Sequence, residues 1–218
     1  MKNLLLAVAF LLPVTAAAQE EKDNTLVVPQ SENLIRMAAQ LSKFGYANDD
    51  ALSLIQAARL SKKAGLVKEE REKTGSGTET PAGDKKGNIS LDPEQLLADA
   101  KAKAGDDGVL LALIDEVKNN VRGATNGARY AESSVNAGST DVYNITFDAN
   151  KQATVVVIGD GDTDLDLYVY DENNNLIAKD VDYTDDCVVT FNPRWTGLFV
   201  IKIVNRGNVY NNYVLRTN

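Results

Sequence analysis

Ten carboxylates and a single lysine lie between Asp160 and Asp186. Carboxylates at this density repel one another, so a fold that gathers them must hydrate them or neutralise some with a bound cation. Asp160, Asp162 and Asp164 alternate with Gly161 and Thr163, a spacing that lets a curled loop aim several oxygens at one point. Asp180, Asp182, Asp185 and Asp186 form a second group, and a hairpin turning through Asn173 to Asn175 would carry it alongside the first. Calcium suits such a set, because it is a hard cation that takes about six to eight oxygen ligands. The candidate ligands are Asp160, Asp162, Asp164, Asp166, Asp182, Asp185 and Asp186, with Ca2+ as the cofactor. A solvated acidic rim that favours solubility and blunts sheet edges is the other reading of the same residues.

Other chemistries are narrower. The alternation imitates the start of an EF-hand loop, but Leu165 stands where that loop needs glycine and the flanks read as strand, so the EF-hand is rejected. The chain has no histidine, which excludes Ser-His-Asp and Cys-His catalysis and the usual histidine-bearing zinc sites. An enzyme would have to use carboxylate, lysine or tyrosine groups. A glycoside hydrolase working through paired acids among Asp160, Asp162, Asp164 and Asp186 is the enzymatic alternative, although so many adjacent acids resemble a cation site more than two carboxylates of separated pKa. Trp195 either caps a core or forms a sugar or peptide platform, and Tyr183, Tyr210 and Tyr213 share that ambiguity. A carbohydrate-binding module using Trp195 is the third reading. Cys187 heads an apolar alternating run and reads as a buried filler, not a nucleophile.

The acidic residues fall in the part of the chain that reads as strand. From Arg129 onward, short alternating runs are separated by turn residues: 129–135, 142–147, 154–158, 165–170, 176–180, 187–191, 199–204 and 213–216. Runs of this kind with no helix between them predict an antiparallel sandwich of the jelly-roll type over 129–218. Leu165, Leu167 and Val169 share the core face of their strand, and Asp164, Asp166, Tyr168 and Tyr170 share the other.

The preceding region has helical periodicity. One helix pair is predicted over 31–66, with Leu34, Ile35, Met37, Ala38 and Leu41 and then Leu52, Leu54, Ile55, Ala58 and Leu60 inward, and with Gly45 and Gly65 as stops. A second pair is predicted over 91–124, opened by Asp92-Pro93-Glu94 as N-cap, first-turn proline and acidic first turn, with Val109, Leu110, Leu113, Ile114 and Val117 inward and Gly123 at its end. Charged, Gly, Ser and Thr residues over 67–90 predict a flexible linker between the pairs. The fold class is therefore α+β.

Residues 1–18 read as a secretory signal, with Lys2, an apolar stretch over Leu4 to Leu12, and Ala16-Ala17-Ala18 as the cleavage site; 19–30 read as a disordered lead-in. Loss of Lys2 with the signal leaves 22 basic against 31 acidic side chains, one unit more negative than the −8 of the full chain. Nucleic acid is a poor partner for that charge, and no membrane span is expected after cleavage. The single cysteine precludes an internal disulfide.

Asp164-Leu165-Asp166-Leu167-Tyr168-Val169, preceded by Gly159-Asp160-Gly161-Asp162 and followed by Asp186-Cys187 and Trp195-Thr196-Gly197, resembles the signature of the bacterial pre-peptidase C-terminal domain family. The resemblance covers about residues 129 to 218 and nothing before them. It implies a jelly-roll-like β-sandwich of the kind found beside secreted proteases, some members binding calcium or extracellular matrix such as collagen. Asp164 and Asp166 match the signature aspartates, so the resemblance implies a structural or metal role for those two. The chain departs from the pattern in that Cys187 has no partner for a disulfide and no peptidase pattern precedes the module. Taken together, these features predict a periplasmic or secreted, non-enzymatic protein whose calcium-stabilised sandwich binds an extracellular or periplasmic protein or polysaccharide or supports assembly.

Overall fold

The computed structural model describes residues 30–76, 87–119 and 128–218. The signal, most of the lead-in and Gly123 lie outside the described residues. Four helices come first: α1 (Gln30–Ala47), α2 (Ala51–Ala64), α3 (Pro93–Ala104) and α4 (Gly108–Asn119). Between α2 and α3 lie two short strands, β1 (Val67–Lys68) and β2 (Thr74–Ser76). Eight more follow α4: β3 (Arg129–Val135), β4 (Thr140–Phe147), β5 (Ala153–Gly159), β6 (Leu165–Tyr170), β7 (Leu176–Asp180), β8 (Asp186–Phe191), β9 (Gly197–Asn205) and β10 (Asn211–Thr217).

The strands form two five-stranded sheets, ordered β1-β3-β10-β5-β8 and β2-β4-β9-β6-β7. All eight predicted strand runs are present and pair antiparallel with one another. Period-two alternation sends Tyr143, Val155, Val157, Leu165, Leu167, Val169, Cys187, Phe199, Ile201, Ile203, Tyr213 and Leu215 into the space between the sheets. Phe147, Phe191 and Phe199 close one end of this core through edge and tilted ring contacts 5.2 to 5.8 Å apart.

Part of the segment expected to be a flexible linker is strand. Val67–Lys68 pairs in parallel with β3, the one departure from antiparallel order among the described residues, and Thr74–Ser76 pairs with β4. Charge misleads here because Lys68, Arg71 and Lys73 all find carboxylates in the folded chain: Lys68 meets Asp92 and Glu132, Arg71 meets Glu69, and Lys73 meets Asp141.

The helices lie on the outer face of the first sheet. Ile35, Ala38 and Ala39 of α1 pack with Ile89 and Leu91 on Tyr130, Val156, Ile158 and Val214. Behind them Leu54, Ile55 and Ala58 of α2 meet Leu96, Leu97 and Ala100 of α3 and Ile114 and Val117 of α4. Asp92 caps α3 as predicted, accepting the Glu94 N–H at 3.0 Å with Pro93 at the first turn, and Gly65 closes α2 at φ 68°. Gly45 does not end α1. The helix runs on to Ala47, and Gly45 instead permits close approach to α2, where an added Cβ would lie 2.7 Å from Leu54 Cδ2. The cap of α2 is Asp50, whose side chain accepts the Leu52 and Ser53 N–H groups. Met37, Leu52 and Val109, expected inward, are exposed, because each helix buries one side, α1 against the sheet and α2 and α4 against other helices, and leaves the other in water.

Candidate functional site

The acidic groups meet at one end of the sandwich. β8 pairs with β5 so that Ile158 faces Asp186. The Gly159 N–H then donates to the Asp185 carbonyl at 2.8 Å, and the Leu165 N–H to that of Thr184 at 3.1 Å. The predicted juxtaposition is thus present, with Asn174 at φ 63° in the expected hairpin turn. Asp171 sets that turn by accepting the Asn173 and Asn175 N–H groups at 2.9 and 2.7 Å. The Asn175 amide and these N–H groups hold its carboxyl below the usual carboxylate range.

Most of the candidate ligands spend their oxygens on the protein itself. Asp160 is buried and accepts the Asn212 N–H at 2.8 Å and the Asp162 N–H at 3.3 Å. Both oxygens of Asp162 accept the Gly87 N–H at 3.0 Å. Asp166, also buried, pairs with Arg206 at 2.6 Å and accepts the Tyr168 hydroxyl at 3.1 Å. Asp182 accepts the Thr184 N–H and hydroxyl at 2.9 and 2.6 Å. Asp185 accepts the Gly161 N–H, made possible by the φ of 96° at Gly161, and Lys43 of α1 reaches Asp185 at 3.6 Å and Asp186 at 3.0 Å.

Asp164 differs. Its Oδ1 is buried with no hydrogen-bond partner among the described residues. Burial, then the charges of Asp166 and Asp182, raise its carboxyl above the usual range, with Arg206 opposing and Asp185 adding to the rise. Among the described residues no three acidic groups are arranged to hold a metal ion. The donor chemistry fits a hard cation; among the described residues Asp160, Asp162 and Asp166 are engaged as above, and Asp164 Oδ1 is a buried oxygen left without a hydrogen-bond partner.

Cys187 is buried, its Sγ 3.0 Å from the Leu165 carbonyl, and burial pushes its thiol well above the ordinary value. Trp195 stacks on Phe199 with centroids 5.7 Å apart and donates to Glu172 at 3.2 Å, which makes it a partly exposed cap on the core. Tyr213 is no platform. It is buried, with its hydroxyl donating to Asp141 and lying 2.6 Å from that of Tyr143. Tyr183 is almost wholly exposed.

A second feature comes from the layer order. Among the described residues the helical layer covers the outer face of the first sheet over β3, β10 and β5, whereas no helix packs on that of the second. Register places Lys179, Tyr168, Lys202 and Val142 in one row across it, and Leu176, Tyr170, Val200 and Asn144 in the next. Tyr168 and Tyr170 stack with centroids 6.3 Å apart, and the Lys202 ammonium sits 4.6 Å from the Tyr170 centroid. The outward direction of the two tyrosines follows from alternation. Their neighbours on β9, Lys202 and Val200, and the ion partners Lys43 and Arg206 at the acidic end, come from pairings distant in sequence and leave no local signal.

Among the described residues no helix is long and apolar enough to cross a membrane. No protein-family model and no curated protein matches the sequence. Among solved structures, the chain is similar to the pre-peptidase C-terminal domain of a Bacillus anthracis collagenase, at 17% identity over 41% of this chain and 87% of that one, with a TM-score of 0.34. It is similar to PliG of Aeromonas hydrophila, a periplasmic inhibitor of g-type lysozyme, at 14% identity over 45% and 91% of the two chains, with a TM-score of 0.34. A carbohydrate-binding module of the Cellvibrio mixtus lichenase 5A, in complex with cellotriose, is similar at 12% identity over 38% and 72%, with a TM-score of 0.27. The family likeness is a distant structural one, confined to less than half of the chain.

Proposed function

We propose that the chain is an exported, non-catalytic binding module that holds a protein partner on the outer face of its second sheet. The observation that carries this reading is the asymmetry of the layers among the described residues: helices cover most of one sheet, and the outer face of the other carries exposed Leu176 beside half-buried Tyr168, Tyr170 and Val200. Tyrosines among aliphatic groups, with a lysine and an asparagine beside them, have the composition of a protein-binding patch. A polysaccharide fits less well, because the Tyr170 ring already carries Lys202 and Tyr168 where a sugar would stack. Hydrolysis is not favoured, since the carboxylates at the acidic end serve turns and ion pairs and not a separated acid and base.

Site-specific photocrosslinking in the producing cell tests the proposal. A photoreactive group at Val200 is expected to give a discrete protein adduct that is lost in Tyr168→Ser/Tyr170→Ser without a fall in Tm. A group at Lys101 on α3 serves as the control. Equal adducts from both positions would overturn the assignment, and retention on insoluble polysaccharide abolished by the same tyrosine variant would move it to a glycan.

A second reading places a calcium ion beside Asp164. The uncommitted Oδ1, under the repulsion of Asp166, Asp182 and Asp185, supports it. A rise in Tm on adding calcium and its loss in Asp164→Asn is the outcome expected; an unchanged Tm with chelator, and no calcium in the purified protein, removes the metal.

A further inference from the structure

The side of the sandwich where the chain crosses between sheets carries a second feature. β1 joins the first sheet and β2 the second, so residues 69–73 form a strap from one to the other. β2 covers β4 only at Thr140, Asp141 and Val142, while β4 pairs with β9 all the way to Phe147. Beyond Val142 the outer edge of β4 has no strand partner among the described residues. Such an edge is a row of backbone donors and acceptors ready to take another strand. A cleft of about 810 Å³ runs beside it, lined by Val142 to Thr146, the strap and the end of β10.

Arg71 of the strap lines the same cleft. Its side chain is only 9% exposed. Nε and Nη2 donate to Glu69 at 3.2 and 3.0 Å, and Nη2 also donates to Thr217 Oγ1 at 2.7 Å. Nη1 is buried and has no hydrogen-bond partner among the described residues. Lys73 is committed to Asp141 at 2.6 Å and to the Ser134 carbonyl, and Arg129 stands at the rim 3.4 Å from Glu69. A guanidinium fixed on one side with donors left over on the other is set to receive an oxyanion, for which its planar fork is better shaped than an ammonium.

Strand polarity decides which end of a peptide would meet it. β2 runs antiparallel to β4, with Thr74 opposite Val142 and Ser76 opposite Thr140. A segment added in the same sense farther along β4 runs from Phe147 toward Val142, so its last residue arrives at the strap. We infer that the edge of β4 from Tyr143 to Phe147 captures the extended C-terminal segment of a protein, with the terminal carboxylate received by Arg71. This site is a strand edge distinct from the sheet face proposed above, and neither depends on the other.

The test uses the full mature chain and a pooled random hexapeptide library prepared twice, with free C-terminal carboxylates and with C-terminal amides. The free-acid pool is expected to yield binders that weaken about tenfold or more on amidation, as fits loss of a charge-assisted hydrogen bond. Amide hydrogen exchange at Tyr143 to Thr146 is expected to slow when they bind. Arg71→Lys, which keeps the charge and loses the fork, should weaken the acid peptides, and Arg129→Gln at the rim should do so less. If Arg71→Lys lowers the Tm, the comparison of acid with amide on the unaltered protein decides alone. Equal binding of both pools, binding of neither, or edge protection that grows with protein concentration without peptide, which marks pairing between copies, each overturns the inference.

Discussion

Glu132 shows how one side chain can join two layers. It points from β3 into the helical layer, where one oxygen accepts the Ser90 hydroxyl at 2.8 Å and the Leu91 and Asp92 N–H groups at 2.7 and 3.2 Å, and the other meets Lys68 at 3.3 Å. Those contacts position Asp92, the cap of α3. Truncation would leave several donors without their acceptor, so Glu132→Ala is expected to cost about 2–4 kcal/mol in denaturant unfolding, whereas Glu132→Gln keeps an acceptor and should cost less. Asp92 itself loses by burial, but the hydrogen bonds from Lys68 and Glu94 and the charge of Lys68 outweigh that and hold its carboxyl low. Its contribution is therefore complete above the unfolded carboxylate value and lost as the pH falls through the lower folded one. Asp164 has the opposite sign: its raised carboxyl destabilises the fold when ionised, and the cost is relieved as the pH falls through the raised value. In calcium-free buffer Asp164→Asn is expected to raise the Tm near neutral pH and to lose that advantage in acid. A Tm gain constant across the titration would contradict the repulsion argument.

The packing of α1 on α2 depends on Gly45. A glycine inside a helix is ordinarily improved by alanine, by about 1 kcal/mol. Here the added Cβ would meet Leu54 Cδ2 at 2.7 Å and Cγ at 2.8 Å, and Leu54 is wholly buried against α3 and α4, with little room to yield. Gly45→Ala is expected to destabilise by about 1–2 kcal/mol, measured as a lower denaturant midpoint. A stabilised variant would show that the helix pair can slide apart. The periodicity around this glycine was enough to place both helices, but not to tell a stop from a close contact, because each calls for the smallest residue. The same limit applies to the strap over 69–73: two short strands in a charged stretch carry no alternation long enough to be seen, and they exist only because β3 and β4 offer edges to them.

Three layers give the chain its asymmetry, with helices on the first sheet, the first sheet on the second, and no helix among the described residues on the outer face of the second. The acidic end takes part in this assembly, since Lys43 of α1 reaches across to Asp185 and Asp186, and Arg206 at the end of β9 answers Asp166. Such pairs weaken with salt where they are exposed, as Asp186 is, and less where buried, as Asp166 is. Arg206→Met is expected to destabilise by about 3 kcal/mol, the cost of stranding the buried Asp166 carboxylate, with Asp166→Asn/Arg206→Met recovering part of it. Near-neutral behaviour of the single variant would mean that Asp166 is hydrated in solution.

Local pattern determined the α+β class, the eight long strands and the four helices, because burial on one side imposes periods of 2 and 3.6 on the chain wherever an element is long enough to repeat. It also brought the carboxylates of Asp160 to Asp166 and Asp182 to Asp186 to one end of the sandwich, since strand and turn lengths fix where such loops emerge. What answers those charges was decided by tertiary structure. Backbone amides from Gly87 and Asn212 and cations from Lys43 and Arg206 approach from segments far away in sequence. Chain closure over such distances leaves no periodic trace, so the open face of the second sheet, the bare edge of β4 and the uncommitted oxygen of Asp164 emerge only from the packed molecule.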